Sequence, residues 1–135
     1  MDRPQPRFPE PDTEPFWDAT KEHKLMYQVD RDTGDVVFFP RAHNPKNGSR
    51  NLEWRESKGE GTVYTYSVVR LNRHPAFAPL GAYAVAYVDL DEGFRMLTNI
   101  VGVADPTRDI SIGQRVKVQW EDLSSGISLP MFAPA

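Results

Sequence analysis

The chain has 135 residues, 39% of them hydrophobic and 26% charged, with a formal net charge of −3 and a pI of about 5.6. A chain of this length accommodates one ordinary domain with an appendage, and its acidic balance disfavours nucleic-acid binding through clustered lysine and arginine. There is no cysteine, which excludes disulfides, thiolate nucleophiles and zinc sites built from cysteine.

Residues 1–24 are predicted to form a proline-rich arm followed by a short helix. The prolines lie among charged residues, a composition that favours an extended or disordered segment. Thr13 is predicted to be the N-cap of a helix that runs to about His23. Phe16 and Trp17 are more large aromatic residues than so short a helix needs for itself. They therefore either pack against the main domain or contact a partner.

Residues 25–57 are predicted to form a small hairpin with two turns. Leu25–Val29 and Asp35–Pro40 are the predicted hairpin strands, joined by a turn that contains aspartate and glycine. Arg41–Arg50 carries the turn signals Asn-Pro and Asn-Gly, and Asn51–Ser57 alternates weakly between apolar and polar residues. Two turns that face each other across a small hairpin indicate the shape of a zinc ribbon.

Residues 58–135 are predicted to form the main β domain, whose strands are rich in valine, tyrosine and threonine. Because Pro130 interrupts the last strand, that strand is predicted to lie at an edge. Five strands with a longer connection after the third match the five-stranded barrel of the OB-fold. The predicted fold is therefore mainly β, with an N-terminal helix, a ribbon hairpin and an OB-fold barrel. The predicted strands are Gly61–Leu71, Gly81–Leu90, Phe94–Val101, Arg115–Asp122 and a last one in which Ile127, Leu129 and Met131 share a face.

The loop Leu71–Leu80, between the first two strands of the predicted barrel, is the most suggestive stretch for ligand binding. This connection lies on the ligand-binding side of OB-fold barrels. Arg73 and His74 could donate hydrogen bonds to a phosphate, with Arg70 just before them, and Phe77 offers a face on which an adenine could stack. Alternatively, Phe77 closes one end of the barrel.

No catalytic constellation is visible in the sequence. The three histidines fall in three different segments, no pair has the spacing of a metal site, and there is no glycine-rich phosphate loop. We therefore predict no catalytic residue. No apolar stretch resembles a signal peptide or a membrane span, so a cytoplasmic location is expected.

Several segments taken in order resemble one known family over nearly the whole chain from Pro15. They are PFWDATKEHKL, YQVDRDTG with FFPRAHNPKNGS, LEWRESKGEGTVYTYSVV, HPAF, VDLDEGFRMLTNIVG, IGQRVKVQWED and LPMFAPA. The sequence is similar to the small proteins with a zinc ribbon and an OB-fold that are known as domain of unknown function thirty-five. The resemblance implies this ribbon-plus-barrel architecture.

The family usually carries two CxxC zinc knuckles, and here all four cysteine positions hold other residues. These residues are Asp30, Thr33, Asn44 and Asn47. We therefore expect no structural zinc, and a ribbon held by side-chain hydrogen bonds and turn geometry. Because a small hairpin without its metal loses a large folding contribution, packing by Trp54, Phe38 and Phe39 is expected to replace it.

The resemblance implies a non-catalytic accessory subunit of a thiolase-like or ketosynthase-like enzyme, such as a thiolase, a retro-aldolase or an acyltransferase. Such a subunit stabilises its partner in a hetero-oligomer and helps to enclose the CoA end of an acyl thioester, and a similar domain accompanies hydratases of steroid metabolism. The chain itself is expected to bind no cofactor beyond the CoA of the substrate. Arg70, Arg73, His74 and Phe77 are the predicted CoA-binding residues. Phe16, Trp17, Met131 and Phe132 are the predicted partner interface.

Two other functions remain open from the residues. A single-stranded nucleic-acid-binding module would use Tyr64, Tyr66, Tyr83 and Tyr87 as stacking surfaces, although the acidic charge argues against it. A small stand-alone enzyme that processes acyl-CoA would use His74 with a nearby carboxylate.

Overall fold

The N-terminal arm packs against the barrel in a computed structural model that describes residues 1–6 and 10–135. Asp2 accepts a hydrogen bond from the backbone N–H of Ser124 at 3.0 Å, and Arg3 Nε lies 2.9 Å from Glu121 Oε2. Residues 1–6 form neither helix nor strand and are held by polar contacts. The part of the predicted arm at 7–9 lies outside the described residues.

Helix α1 spans Glu14–Thr20 and is shorter than the predicted helix. Thr13 is the N-cap residue, but its side chain makes no capping hydrogen bond. Phe16 and Thr20, one turn apart, form the buried side of the helix. The Thr20 hydroxyl also accepts a hydrogen bond from the backbone N–H of Ser128 at 3.2 Å, which ties the helix to the last strand of the barrel.

The ribbon is a three-stranded antiparallel sheet in the order β2-β1-β3. Strand β1 spans Met26–Asp30, β2 spans Val36–Val37 and β3 spans Leu52–Glu56. Gln28 pairs with Val37 on one side and with Trp54 on the other. The central position of β1 explains why four of its five residues are buried.

The barrel is closed, with the strand order β4-β5-β6-β8-β7 and pairing between β4 and β7. All neighbours are antiparallel except β6 and β8, which are parallel. This closed five-stranded mixed barrel confirms the predicted OB-fold and the mainly β class. The strands are β4 Glu60–Val69, β5 Tyr83–Leu90, β6 Arg95–Ile100, β7 Arg115–Asp122 and β8 Ser128–Pro134.

The prediction that the last strand lies at an edge is wrong, because β8 pairs with β7 on one side and with β6 on the other. Pro130 has no N–H to donate, but its carbonyl oxygen accepts a hydrogen bond from the Thr98 hydroxyl at 2.8 Å. Two residues later, the carbonyl of Phe132 accepts from the N–H of Val101 at 2.8 Å. The strand therefore needs no backbone donor at the proline to close the barrel.

One hydrophobic core extends through the barrel and the ribbon. Phe94, from the barrel, stacks on Tyr27 of the ribbon with ring centroids 5.1 Å apart, and on Phe38 at 4.7 Å. Trp54 also packs against this core, as predicted. Phe39 packs on Phe38, with ring centroids 5.0 Å apart, but 54% of its surface is exposed, so most of its side chain lies outside this core. In the described part of the chain, no helix is long and apolar enough to cross a membrane.

Candidate functional site

An apolar cavity of about 290 Å³ lies where helix α1, the segment after β2, and strands β6 and β8 meet. Phe16 forms part of its floor and contacts Trp17 edge-on, with ring centroids 5.0 Å apart. Phe39 and Leu97 line the cavity and are 54% and 48% exposed. Four segments that are separate in sequence thus bring apolar side chains to one opening at the surface.

This apolar surface continues from the cavity along the outside of the barrel. Leu97 on β6 pairs with Tyr87 on β5, and the Tyr87 side chain is exposed. We call the surface formed by Trp17, Phe39, Leu97 and Tyr87 the apolar face. Exposed contiguous apolar side chains of this kind are typical of surfaces that bind proteins or apolar ligands.

The predicted partner-interface residues take different positions relative to the apolar face. Trp17 belongs to it, whereas Phe16 and Met131 are buried and form the floor of the cavity. Phe132 is 0% exposed, because successive side chains of β8 alternate and Phe132 points into the barrel while Met131 points out. The side chain of Phe132 is therefore a core residue and does not lie on this surface.

The contributions of Phe39 and Leu97 to this surface were not predicted from the sequence. Leu97 lies between Met96 and Thr98, which are buried, so strand alternation places it on the outer face. An apolar residue at an outward position was the available signal for Leu97. Phe39 carried no comparable signal, because β2 ends at Val37 and alternation does not extend to it.

The loop after β4 brings two of the predicted CoA-binding residues together. The His74 and Phe77 rings lie 5.6 Å apart, and Phe77 stacks near Tyr83 at 5.7 Å. The Ala76 backbone N–H donates to His74 Nδ1 at 3.1 Å, which fixes the imidazole. The guanidinium of Arg3 lies 5.4 Å from the centre of the Phe77 ring. The aromatic surface proposed for an adenine is therefore already contacted by the N-terminal arm.

The other two predicted CoA-binding residues are exposed beside this loop. Arg70 lies close enough to Asp105 that its charge helps to lower the pKa of that carboxyl group, although hydrogen bonds from Thr107 contribute more. Arg73 follows at the surface of the same loop. The arrangement offers cationic and imidazole donors around a partly buried aromatic pair, which suits an anionic, aromatic ligand.

One group of polar side chains has the composition of a catalytic triad but not its geometry. His23 Nε2 lies 2.6 Å from Asp122 Oδ1, and the Ser128 hydroxyl donates to the same Asp122 oxygen at 2.7 Å. The carboxylate lies between the imidazole and the hydroxyl, so the histidine is not placed to activate the serine. Within residues 1–6 and 10–135, no three His, Cys, Asp or Glu side chains are grouped to hold a metal ion.

The tyrosines considered for nucleic-acid stacking do not form a shared positive groove. Tyr64 and Tyr87 are exposed, but the Tyr66 hydroxyl donates inward to the Ile110 carbonyl at 2.9 Å. The guanidinium above Tyr64 is that of Arg95, at 3.4 Å. The charge of Arg95 is already paired with the Asp89 carboxylate on the neighbouring strand β5.

The fold and these surfaces define a ribbon-plus-OB-fold protein with an exposed apolar surface. Comparison with known proteins identifies the family of this chain. Residues 54–121 match the family model of the ChsH2 C-terminal OB-fold domain. A DUF35 domain-containing scaffold protein from Methanocaldococcus jannaschii is 32% identical over 117 residues, which cover 82% of this chain and 81% of that protein. The chain belongs to the DUF35 family.

Two further relatives have names that state the enzyme to which they belong. The solved structure of the Ltp2-ChsH2(DUF35) aldolase contains a chain that superposes with a TM-score of 0.84 at 34% identity, covering 96% of this chain and 98% of that one. A probable enoyl-CoA hydratase alpha subunit from Thermomonospora curvata is 37% identical over 121 residues. The match covers 89% of this chain but spans only 37% of the length of that relative.

Proposed function

We propose that this chain is a non-catalytic accessory subunit of a thiolase-superfamily enzyme that acts on an acyl thioester, and that it stabilises the partner and helps to bind the acyl-CoA. The observation that carries the proposal is the apolar face. The names of the relatives support it, since one is a scaffold protein, one is an alpha subunit and one is part of a two-component aldolase.

The apolar face has the composition of a protein-binding surface. Its aromatic residues, Trp17, Phe39 and Tyr87, belong to the types that dominate the centres of interfaces. The adjoining cavity, with Phe16 and Met131 in its floor, could accept a large side chain of the partner. Burial of this surface would remove apolar area from water, which favours a stable hetero-oligomer.

The loop that carries Arg73, His74 and Phe77 would face the CoA. In this proposal, Arg70 and Arg73 contact its phosphates and the aromatic surface of Phe77 contacts its adenine. Because the Arg3 guanidinium contacts the same ring, the arm would have to move or stack together with the adenine. Catalytic groups would belong to the partner.

Co-purification from the native host with an N-terminal tag, followed by mass spectrometry, tests the accessory role. A thiolase-like protein should accompany the wild-type chain in stoichiometric amount. Leu97→Asp should release it, since a charge would be buried unpaired at the interface. Ile112→Asp is the matched control, because Ile112 is 69% exposed and lies outside the apolar face. Elution of the wild-type chain alone as a monomer would refute the proposal.

Calorimetric titration of the purified complex with CoA tests the ligand side separately. Arg73→Ala should weaken CoA binding by about tenfold, the effect of losing one charge-assisted hydrogen bond. Arg50→Ala, an exposed arginine of the ribbon, should leave the affinity unchanged. Equal CoA affinities for both variants would show that this loop does not bind CoA. That result would leave the proposed partner interaction unaffected.

A further inference from the structure

The two turns of the ribbon, residues 30–35 and 44–49, have the same backbone hydrogen bonds. In each turn, the N–H of the first residue donates to the carbonyl of the last residue at 2.8 Å. The glycine N–H donates back to the carbonyl of the first residue, again at 2.8 Å in both. Gly34 and Gly48 take nearly equal positive φ angles of 77° and 74°, which glycine adopts without strain. We call these segments the ribbon turns.

The side chains at the four positions where the family carries cysteine also share one contact. Each of them accepts a hydrogen bond from the backbone N–H two residues further along, as in Asx turns. The four contacts are Asp32 N to Asp30 Oδ1 at 2.9 Å, Asp35 N to Thr33 Oγ1 at 3.2 Å, Lys46 N to Asn44 Oδ1 at 3.0 Å, and Ser49 N to Asn47 Oδ1 at 2.8 Å. Both ribbon turns are therefore built in the same way at their first and fourth residues.

The carboxylates of Asp30 and Asp35 join the two ribbon turns. Asp30 Oδ2 accepts from Asn44 Nδ2 at 2.9 Å and from Asn47 Nδ2 at 3.4 Å. Asn44 also donates to Asp35 Oδ2 at 3.0 Å. Asp30 and Asn44 are 0% and 1% exposed, so these hydrogen bonds are made away from bulk water. A buried carboxylate is stable only when such donors surround it.

Neither zinc nor a harder cation fits this arrangement. The amide N–H groups of Asn44 and Asn47 point at the Asp30 carboxylate, and an amide nitrogen that donates hydrogen bonds is not a metal ligand. Their amide oxygens accept backbone N–H groups of the ribbon turns instead. Thr33 contributes a neutral hydroxyl, which is a poor substitute for the thiolates that zinc prefers.

We propose that the ribbon is organised around an anion where its relatives use a cation: the buried Asp30 carboxylate, surrounded by N–H donors from both ribbon turns, replaces a metal ion surrounded by anionic ligands. The central group is then negative and its neighbours are hydrogen-bond donors, the reverse of a metal site, while the backbone conformation of the two turns stays the same. The ribbon therefore folds without metal, and its two turns retain the geometry of a metal-binding knuckle pair.

Metal analysis of the full-length chain, purified from zinc-supplemented culture, tests the first part. Elemental mass spectrometry of the protein should find far less than one zinc ion per chain. Its melting temperature, Tm, should not change on addition of a chelator or of Zn²⁺, Mg²⁺ or Ca²⁺. Retention of one zinc per chain, a lower Tm with the chelator, or a higher Tm with any of these ions would overturn the proposal.

Two isosteric variants test whether the Asp30 carboxylate is the group around which the ribbon turns are organised. Asp30→Asn places an amide donor opposite the Asn44 donor, and we expect Tm to fall by about 5 °C or more. Asp32→Asn is the control on the same ribbon turn, since Asp32 is exposed and contacts Asn51 at the surface. Equal changes in Tm for the two variants would contradict a central role for Asp30.

Restoring cysteine at all four positions tests the retained geometry. The combined variant Asp30→Cys, Thr33→Cys, Asn44→Cys and Asn47→Cys should bind one Zn²⁺ or Co²⁺, and with Co²⁺ should show the absorption bands of tetrahedral thiolate coordination. Its Tm should now depend on the metal. A variant that binds no metal would refute the equivalence of the two ribbon turns.

Discussion

Asp30 combines complete burial with a preference for the charged form. The hydrogen bond from Asn44, followed by that from the Asp32 backbone N–H, holds the pKa of Asp30 below its ordinary value of 3.8. Asp35 shares the Asn44 donor and its pKa is lowered for the same reason, with a smaller contribution from the charge of Lys46. The amides of the ribbon turns thus stabilise two carboxylates at once.

These lowered pKa values predict that the ribbon is less stable in acid. A carboxyl group whose pKa is lower in the folded than in the unfolded chain stabilises the fold above its unfolded pKa, and this contribution is lost as the pH falls through the folded pKa. The groups that donate to the Asp30 carboxylate are the neutral amides of Asn44 and Asn47 and the Asp32 backbone N–H, whereas Lys46 lies 3.6 Å from Asp35. Urea unfolding at a series of pH values should therefore show stability falling below about pH 4.

The variant Asp30→Asn separates this effect from that of other acidic residues. The difference in unfolding free energy between wild type and variant should be largest near neutral pH and should shrink in acid, because the wild-type carboxyl group is then protonated as well. A difference that is constant with pH would show that Asp30 does not titrate in the unfolding transition.

Individual residue positions were predictable where a resemblance or a local pattern marked them. The four positions that match the cysteines of the family followed from the resemblance, and the sequence indicated turn-forming residues at each. That Asp30 would be the shared acceptor was not predictable, since the partners of its Oδ2 come from the other ribbon turn, 14 and 17 residues away. Contacts of this kind depend on how β1 and the second turn are placed in space.

The segment between β3 and β4 fixes the ribbon to the barrel. The Glu92 carboxylate, in the hairpin between β5 and β6, accepts hydrogen bonds from the Ser57 hydroxyl at 2.7 Å and from the Lys58 N–H at 2.9 Å. Gly59 follows with a φ of +71°, and a Cβ added there would lie 2.3 Å from Val118 Cγ1. This connection therefore requires both a left-handed backbone and an absent side chain.

Gly59→Ala should destabilise the protein more than Gly126→Ala. Both glycines have positive φ, but a Cβ at Gly126 meets no atom within 4 Å, so that variant measures backbone strain alone. The added clash at Gly59 is expected to cost about 1–3 kcal/mol more. Chemical denaturation of the two variants measures the difference. Equal losses would mean that Val118 shifts without cost.

Strands were more predictable than their pairing. The alternation of β7 gave its bounds, Arg115–Asp122, and the other barrel strands were predicted with ends displaced by a few residues. The position of β8 in the barrel was not predictable from Pro130. The Pro130 carbonyl accepts a hydrogen bond from the hydroxyl of Thr98, which lies 32 residues earlier in the chain. Helix α1 was predicted too long, since its last turn is replaced by a turn that ends at His23 with φ of +57°.

We expect the ribbon and the barrel to unfold together, because both pack against Phe94. Its ring is buried between Tyr27 and Phe38 of the ribbon, although the residue belongs to the hairpin that joins two barrel strands. The contacts between the two parts are thus apolar and central. A cooperative, two-state transition is the expected behaviour of such a shared core.

Phe94→Ala should lower the free energy of unfolding by about 3–5 kcal/mol, the usual cost of removing a buried phenylalanine. Hydrogen exchange should show faster opening of amides in β1 and in β5 alike. Tyr64→Ala, which removes an exposed aromatic residue of the barrel, provides the comparison and should change exchange little. Faster exchange confined to the barrel in Phe94→Ala would show that the ribbon folds independently.

The ribbon turns also have a chemical consequence. The polar groups of Asp30, Thr33, Asn44 and Asn47 contain only oxygen and nitrogen, so peroxides and electrophiles that modify thiolates find no sulfur at these positions. In a ribbon closed by four cysteines, the same reagents attack the ligands themselves. Thiol-modifying reagents should therefore leave this ribbon folded and, with it, the position of Phe39 at the apolar face.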